Sequence, residues 1–248
     1  MESEVVVITG ASAGIGAATA EVLSAAGMRV VLSARRGELL EEVAGRCEGP
    51  TLTVAADVSE RDQVKAVVDA AIGEFGRIDV WINNVGRGIT RMPSELTDED
   101  VDAIMRANVM TALYGMQEVL PHFKARGTGQ VINVSSFLGR VPFATFRSAY
   151  VGAKHFLNAL TATFRSEVQE THPDICVSLV SPGVVHTDFG LAALHGGPDS
   201  RDLPQGQSAE DVARVIADVI EKRRTDVYTR PGTRERVVAY YDSIGSDP

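Results

Sequence analysis

The chain has 248 residues, with 24 Lys and Arg against 33 Asp and Glu, a formal charge of −9 at neutral pH. Its 44% hydrophobic and 23% charged residues make a globular composition, which excludes a disordered or fibrous chain. So acidic a chain is a poor binder of phosphate-rich surfaces, so neither a nucleic acid nor a membrane is an expected partner. The apolar run in MESEVVVITG is only about five residues, far short of the ~20 that span a bilayer, and it has no basic start like that of a signal peptide. Cys47 and Cys176 stand far apart, with no CxxC and no Cys/His cluster. They read as two reduced thiols of a cytoplasmic protein without a bound metal.

Taken in chain order, short β-branched runs alternate with stretches of helical periodicity. A first strand is expected over residues 4–8. It runs into Thr9-Gly10-Ala11-Ser12-Ala13-Gly14-Ile15-Gly16, after which a helix is expected over 15–26. Glycines there let the backbone turn sharply and come close to a pyrophosphate, and the helix presents free N–H groups and its positive end. Gly10, Ser12, Ala13, Gly14, Ile15 and Gly16 are therefore candidate dinucleotide ligands. The second strand, 29–33, ends in Ser33-Ala34-Arg35-Arg36. An acidic residue in this place holds the ribose 2′-OH of NAD. Here it is missing, and an arginine suits the 2′-phosphate of NADP. NADP(H) is thus the expected cofactor, with NAD(H) second. Arg35 is the expected phosphate ligand, and Arg36 reads as solvated charge at a helix start.

The third strand, 51–55, is followed by Asp57-Val58 and a helix over 62–75 carrying Val64, Val67, Val68, Ala71, Ile72 and Phe75. The fourth, 79–83, leads into Asn83-Asn84-Val85-Gly86. Asp57 is placed to accept from the adenine amino group, and Asn84 and Gly86 to bracket the adenosine and nicotinamide ribose region. Taken alone, each would be a simple turn residue. Strands over 130–135, 175–181 and 226–228 complete the set. Helices over 109–125 and 149–168 are apolar on more than one face, which either a partner subunit or core burial explains. Residues 188–207 form a Gly- and Pro-containing stretch after a strand's carboxyl end, the position of a substrate lid or of a floppy insert. The expected fold is α/β: a doubly wound parallel sheet (Rossmann fold) of about seven strands with helices on both faces. It forms one domain over 1–248 without linker or repeat.

The pattern resembles the short-chain dehydrogenase/reductase family over nearly the whole chain. The matching elements are Thr9-Gly10-x3-Gly14-x-Gly16, Asp57-Val58, Asn83-Asn84-Val85-Gly86, Asn108, Ser135-Ser136, Tyr150-x3-Lys154 and Pro182-Gly183-x3-Thr187. Two departures are small. Val85 stands where the family has alanine, and the interval from Ser136 to Tyr150 is one residue longer than the commonest one. The family motif takes the second serine, Ser136, as the catalytic one. The resemblance implies an oxidoreductase that moves a hydride between the cofactor and a carbonyl or secondary alcohol. Tyr150 is its general acid/base and Ser136 holds the substrate oxygen. Lys154 binds the nicotinamide ribose, and Asn108 holds a water in a relay to Lys154. Tyr150 and Lys154 are i and i+4 and share a helix face, so a Lys⁺ there is expected to lower the tyrosine pKa. Pro182, Gly183, Val185 and Thr187 are expected around the nicotinamide, with His186 a polar loop residue.

Phe143, Phe146, Phe189, Leu191 and Leu194 are candidates for an apolar substrate pocket. Arg87, Arg91 and Arg147 read as solvated charge at its rim, with contact to an anionic group as the other reading. A small-molecule substrate and a homodimer or homotetramer are the expected partners. A non-catalytic NADP-binding regulator is the alternative, but such a protein would be expected to lose Ser136, Tyr150 or Lys154. An extended nucleotide-sugar epimerase would call for TGxxGxxG, which Gly10, Gly14 and Gly16 do not match.

Overall fold

Alternation along each buried strand sends successive side chains to opposite faces, and both faces here are apolar. In β1 (Val5–Thr9), Val6 and Ile8 join a core on one side, and Val5 and Val7 join one on the other. The computed structural model describes residues 3–245; residues 1–2 and 246–248, the ends of the expected domain, lie outside the described residues. The other strands are β2 (Arg29–Ala34), β3 (Thr51–Ala55), β4 (Val80–Asn83), β5 (Gly129–Val134), β6 (Ile175–Ser181) and β7 (Asp226–Tyr228). All pair in parallel in one seven-stranded sheet of order β3-β2-β1-β4-β5-β6-β7. Val6 pairs with Val30 on one side and Val80 on the other, so the chain reverses its winding direction between β1 and β4. In such sheets the crevice at the carboxyl ends of those strands is where ligands bind.

One face is covered by α1 (Gly14–Ala25), α2 (Gly37–Ala44) and α7 (Ala209–Lys222), whose Leu23, Leu40 and Ile216 pack with Ile8 and Leu32. The other is covered by α3 (Arg61–Phe75), α5 (Thr111–Arg126) and α6 (Ser148–Thr171), with Val67, Met116, Phe123 and Phe164 around Trp81. Two helices lie outside these layers. They are α4 (Asp98–Met105), which starts on a reciprocal Thr97/Asp100 cap, and α8 (Thr233–Asp242). The helix expected over 109–125 begins earlier. α4 runs into α5 through a π-helical turn, Arg106–Met110, which carries Asn108. The apolar second faces of α5 and α6 meet in a groove of about 430 Å³ lined by Leu113, Leu120, Pro121, Leu160 and Phe164, so core burial does not account for all of them. Among the described residues no helix is long and apolar enough to cross a membrane.

Candidate active site

The glycine turn owes its residue types to two physical demands. Gly10 and Gly14 have φ of +70° and +56°, where a Cβ is disfavoured. Gly16 has ordinary φ, but a Cβ there would stand 2.3 Å from the Gly10 carbonyl oxygen and 2.7 Å from Asn84 Nδ2. Asn84 fastens the turn, since its Nδ2 donates to the carbonyls of Thr9 and Gly10 at 3.3 and 3.2 Å. The extra methyls of Val85 sit beside Gly10, 3.1 Å from where its Cβ would be. No side chain caps α1, whose preceding residue is Ala13, so its first N–H groups remain available to an anion. The Thr187 methyl lies 3.2 Å from the would-be Cβ of Gly14. Residues from β1, β4 and the loop after β6 thus meet around one turn, and the set fits the pyrophosphate of a dinucleotide.

The residues near the expected adenosine end divide differently. Arg35 and Arg36 are both exposed, and it is Arg36 whose Nη2 donates to Ser12 Oγ in the glycine turn, at 3.3 Å. Asp57 Oδ1 accepts from the backbone and hydroxyl of Ser59 at 3.0 and 2.8 Å. Val58 is buried in the core beside α3. Beyond β6, Val185 is buried and bridges to Gln207, Pro182 accepts from the Phe137 amide at 2.7 Å, and Gly183 lies beside Arg230. His186 is exposed and lies against Gly206.

α6 brings Tyr150 and Lys154 to the carboxyl end of β5, both buried. Lys154 Nζ donates to the Val134 carbonyl at 3.0 Å and stands 5.7 Å from the centre of the Tyr150 ring. Ser136 lies close enough to Tyr150 to lower its pKa, and its Oγ accepts from the Leu138 amide at 3.1 Å. Ser135 is turned away, with its hydroxyl given to Asn158 Oδ1. Asn108 is fully buried. It donates to the carbonyls of Arg87 and Ile104, both at 2.9 Å, and accepts from the Arg87 amide. A Cβ on Gly86 would lie 3.0 Å from Asn108 Oδ1 and 3.5 Å from Lys154 Nζ, so these three residues border one space.

The electrostatics correct one expectation. Burial pushes the Tyr150 pKa up to about 12, with Ser136 and Arg147 opposing the rise. Burial also brings Lys154 down to about 7. A half-neutral lysine is a weak source of field, and desolvation of the phenolate outweighs it. The cation that acts on Tyr150 is Arg147, three residues earlier.

The substrate side is also rearranged. Phe189 packs against Tyr150 with ring centres 5.4 Å apart and planes tilted by 59°, and Leu194 packs in the same cluster. Phe143 instead meets Phe137 and Tyr240, and Phe146 and Leu191 are exposed. Segment 188–207 is tied to the loop after β4 by backbone bonds from Thr90 N to Leu194 O and from Leu194 N to Gly88 O. His195, at φ +64°, bonds buried Asp100 at 2.7 Å, and half-buried Arg91 reaches the same carboxylate at 3.4 Å. Arg87 is exposed as expected. Arg147 contradicts the reading as rim charge, because its side chain lies under segment 188–207 and is only 7% exposed.

A family model described as short chain dehydrogenase matches residues 4–194. The chain belongs to the short-chain dehydrogenase family of oxidoreductases. This short-chain dehydrogenase is 32% identical, over 92% of its length and 90% of the relative's, to an NADP-dependent 3-hydroxy acid dehydrogenase of Schizosaccharomyces pombe. It superposes with a TM-score of 0.89 and 25% identity on a short-chain dehydrogenase/reductase from Burkholderia phymatum in complex with NAD, covering 99% of this chain and 97% of that one. A short-chain dehydrogenase from Sphingobium yanoikuyae in complex with NADPH gives 0.82 at 25% identity, covering 97% and 93%. Among its described residues this family member has no group of three or more His, Cys, Asp or Glu able to hold a metal ion.

Sequence reasoning ranked Arg36 behind Arg35 as solvated charge, and it passed over Asn158 and the Asp100–His195 pair. Arg36 had a signal, as the second of two arginines. Asn158 had one too, lying one helical turn beyond Lys154. Asp100 and His195 are 95 residues apart, and only folding relates them.

Proposed function

We propose that this protein transfers a hydride between NADP(H) and a small carbonyl compound or secondary alcohol, with Tyr150 as general acid/base. The observation that carries the reading is the buried trio Ser136, Tyr150 and Lys154 at the carboxyl end of β5, beside a glycine turn that leads into the uncapped helix α1. A nicotinamide dinucleotide held there supplies or accepts the hydride. The chain's own residues do the rest. Gly10, Ser12, Ala13, Gly14, Ile15 and Gly16 take the pyrophosphate, and Arg35 and Arg36 favour a 2′-phosphate. Asp57, Val58, Asn84 and Gly86 border the adenosine and ribose, and Pro182, Gly183, Val185 and Thr187 the nicotinamide. With a pKa of about 12, Tyr150 keeps its proton at neutral pH and gives it to the carbonyl oxygen as that oxygen gains charge. The Ser136 hydroxyl holds the same oxygen. Lys154, titrating near 7, returns the proton and holds the ribose, with Asn108 behind it. Segment 188–207 closes over the substrate through Phe189. The groove between α5 and α6 is where a second copy of the chain fits, in a homodimer or homotetramer.

A carbonyl panel followed by nicotinamide absorbance, with NADPH and NADH in separate runs, tests the reading. Tyr150→Phe should lower kcat at least ~100-fold with the fold intact. Activity that survives Tyr150→Phe refutes the mechanism.

A further inference from the structure

Beyond its pull on the Tyr150 pKa, Arg147 is a charge that hydride transfer as described leaves without a task. It stands one helical turn before Tyr150, and burial holds its pKa below the usual guanidinium value without depriving it of its proton. Its Nη1 donates to the Ile89 carbonyl at 3.2 Å and to Thr90 Oγ1 at 3.4 Å, and its guanidinium lies 5.3 Å from the centre of the Phe146 ring. No ion pair to it exists among the described residues, and Nε and Nη2, which share one edge of the fork, make no hydrogen bond there. The neighbouring acids are committed elsewhere. Asp100 holds His195 and Arg91, and Asp188 and Asp199 hold Arg201. A buried cation without a counter-charge is unfavourable unless an anion joins it. Tyr150 does not serve, since its raised pKa keeps the hydroxyl neutral.

The fork lies between the loop after β4 and segment 188–207. A Cβ on Gly88 would stand 2.9 Å from Nη1 and 3.0 Å from the Phe189 ring, and one on Gly197 would stand 3.3 Å from Nη2. Guanidinium and Phe189 therefore both flank Gly88 beneath segment 188–207, and Phe189 in turn packs, tilted, against the Tyr150 ring. The expected cofactor phosphates lie elsewhere, at the turn after β1 and at Arg35–Arg36 after β2. One free guanidinium edge matches one planar carboxylate, bound through two parallel hydrogen bonds.

We propose that Arg147 binds a carboxylate carried by the substrate, so that the carbonyl compound is an oxo acid and its alcohol a hydroxy acid. The assignment rests on the dehydrogenase reading above. The test uses purified full-length protein with NADPH and a series of oxo carboxylates that vary the spacing between the two groups, each beside its methyl ester. For at least one spacing the wild type should prefer acid over ester by about tenfold or more in kcat/KM, the worth of a charge-assisted bidentate contact. Arg147→Met should shrink that preference about tenfold through KM, and Arg147→Lys should keep part of it. A wild type that does not discriminate overturns the proposal. So does an Arg147→Met variant that loses acid and ester activity by the same factor, as a mere clamp on the loop after β4 or a charge acting on Tyr150 would. If no compound is reduced, the dehydrogenase reading fails and the anion site is decided separately. With NADP present, glutarate should then raise the melting temperature of the wild type and not of Arg147→Met, and equal shifts overturn the site.

Discussion

Lys154→Met removes a buried amine whose proton the fold disfavours. Lys154 is 3% exposed, and its pKa falls from an ordinary 10.5 to about 7 because burial penalises the ammonium. Between those values the unfolded chain binds a proton that the folded chain does not, so stability rises with pH across that window. Below about 7 both states are protonated, and the penalty stays at its full size. The two pKa values put that penalty at roughly 4 kcal/mol at pH 7 and roughly 1 kcal/mol at pH 9.5, a relief of about 3 kcal/mol. Above pH 10 the raised pKa of Tyr150 acts in the opposite sense, because the unfolded phenol loses its proton first. The comparison therefore ends at pH 9.5. Urea unfolding of cofactor-free wild type and Lys154→Met at several pH values isolates the effect, since groups common to both cancel. The bond to Val134, worth about 1 kcal/mol, is lost at every pH and only offsets the gap. Lys154→Met should be the more stable protein at pH 7, and its advantage should shrink by about 3 kcal/mol by pH 9.5. A difference that stays flat within about 1 kcal/mol refutes the claim that this amine is desolvated.

Gly16→Ala puts a methyl 2.3 Å from the Gly10 carbonyl oxygen. It should lower stability by about 1–3 kcal/mol and weaken NADPH binding at least ~tenfold, read by melting and by fluorescence titration. Neutralising Arg35 and Arg36 together should raise the Kd for NADPH about tenfold and leave that for NADH in place. Of the single variants, Arg36→Ala should match or exceed Arg35→Ala, given its contact with Ser12. A double variant that still prefers NADPH rules the pair out. His195 foremost, then Thr97 and Arg91, hold the Asp100 carboxyl below the usual carboxylate range. The tie to segment 188–207 therefore holds above about pH 4 and is lost as pH falls through that lowered value. Asp100→Asn at neutral pH should expose residues 188–207 to limited proteolysis, with the cut sites identified by mass spectrometry. Cutting rates equal to wild type would refute the tie.

Most of the architecture was legible because its determinants are local. Strand runs in the chain predict the order of the seven strands, with the boundaries of β1 and β5 shifted by one residue, and helix periodicity predicts α1, α3, α5 and α6 but not α2, α7 or α8. α4 and the π-helical turn are missing from the sequence reading: the Thr97/Asp100 cap marks a helix start, but the composition of Arg106–Met110 does not distinguish π from α geometry. At the site, Tyr150 and Lys154 declare themselves by their spacing. Ser135 and Ser136 could be ranked in the sequence only by resemblance. In the structure Ser135 gives its hydroxyl to Asn158, while Ser136 lies close enough to Tyr150 to lower its pKa.

The sequence by itself determined which chemical groups the protein has and along which strand ends they fall, because periodicity and short spacings act over a few residues. Tertiary structure decided what environment each group meets. Arg147 is written in the chain like Arg87, yet it is buried because Gly88, Phe189 and Gly197, from loops far apart in sequence, close around it. The direction of the Tyr150 and Lys154 pKa shifts was decided in the same way. Desolvation depends on everything packed around a charge, and neighbours in sequence are a small part of that.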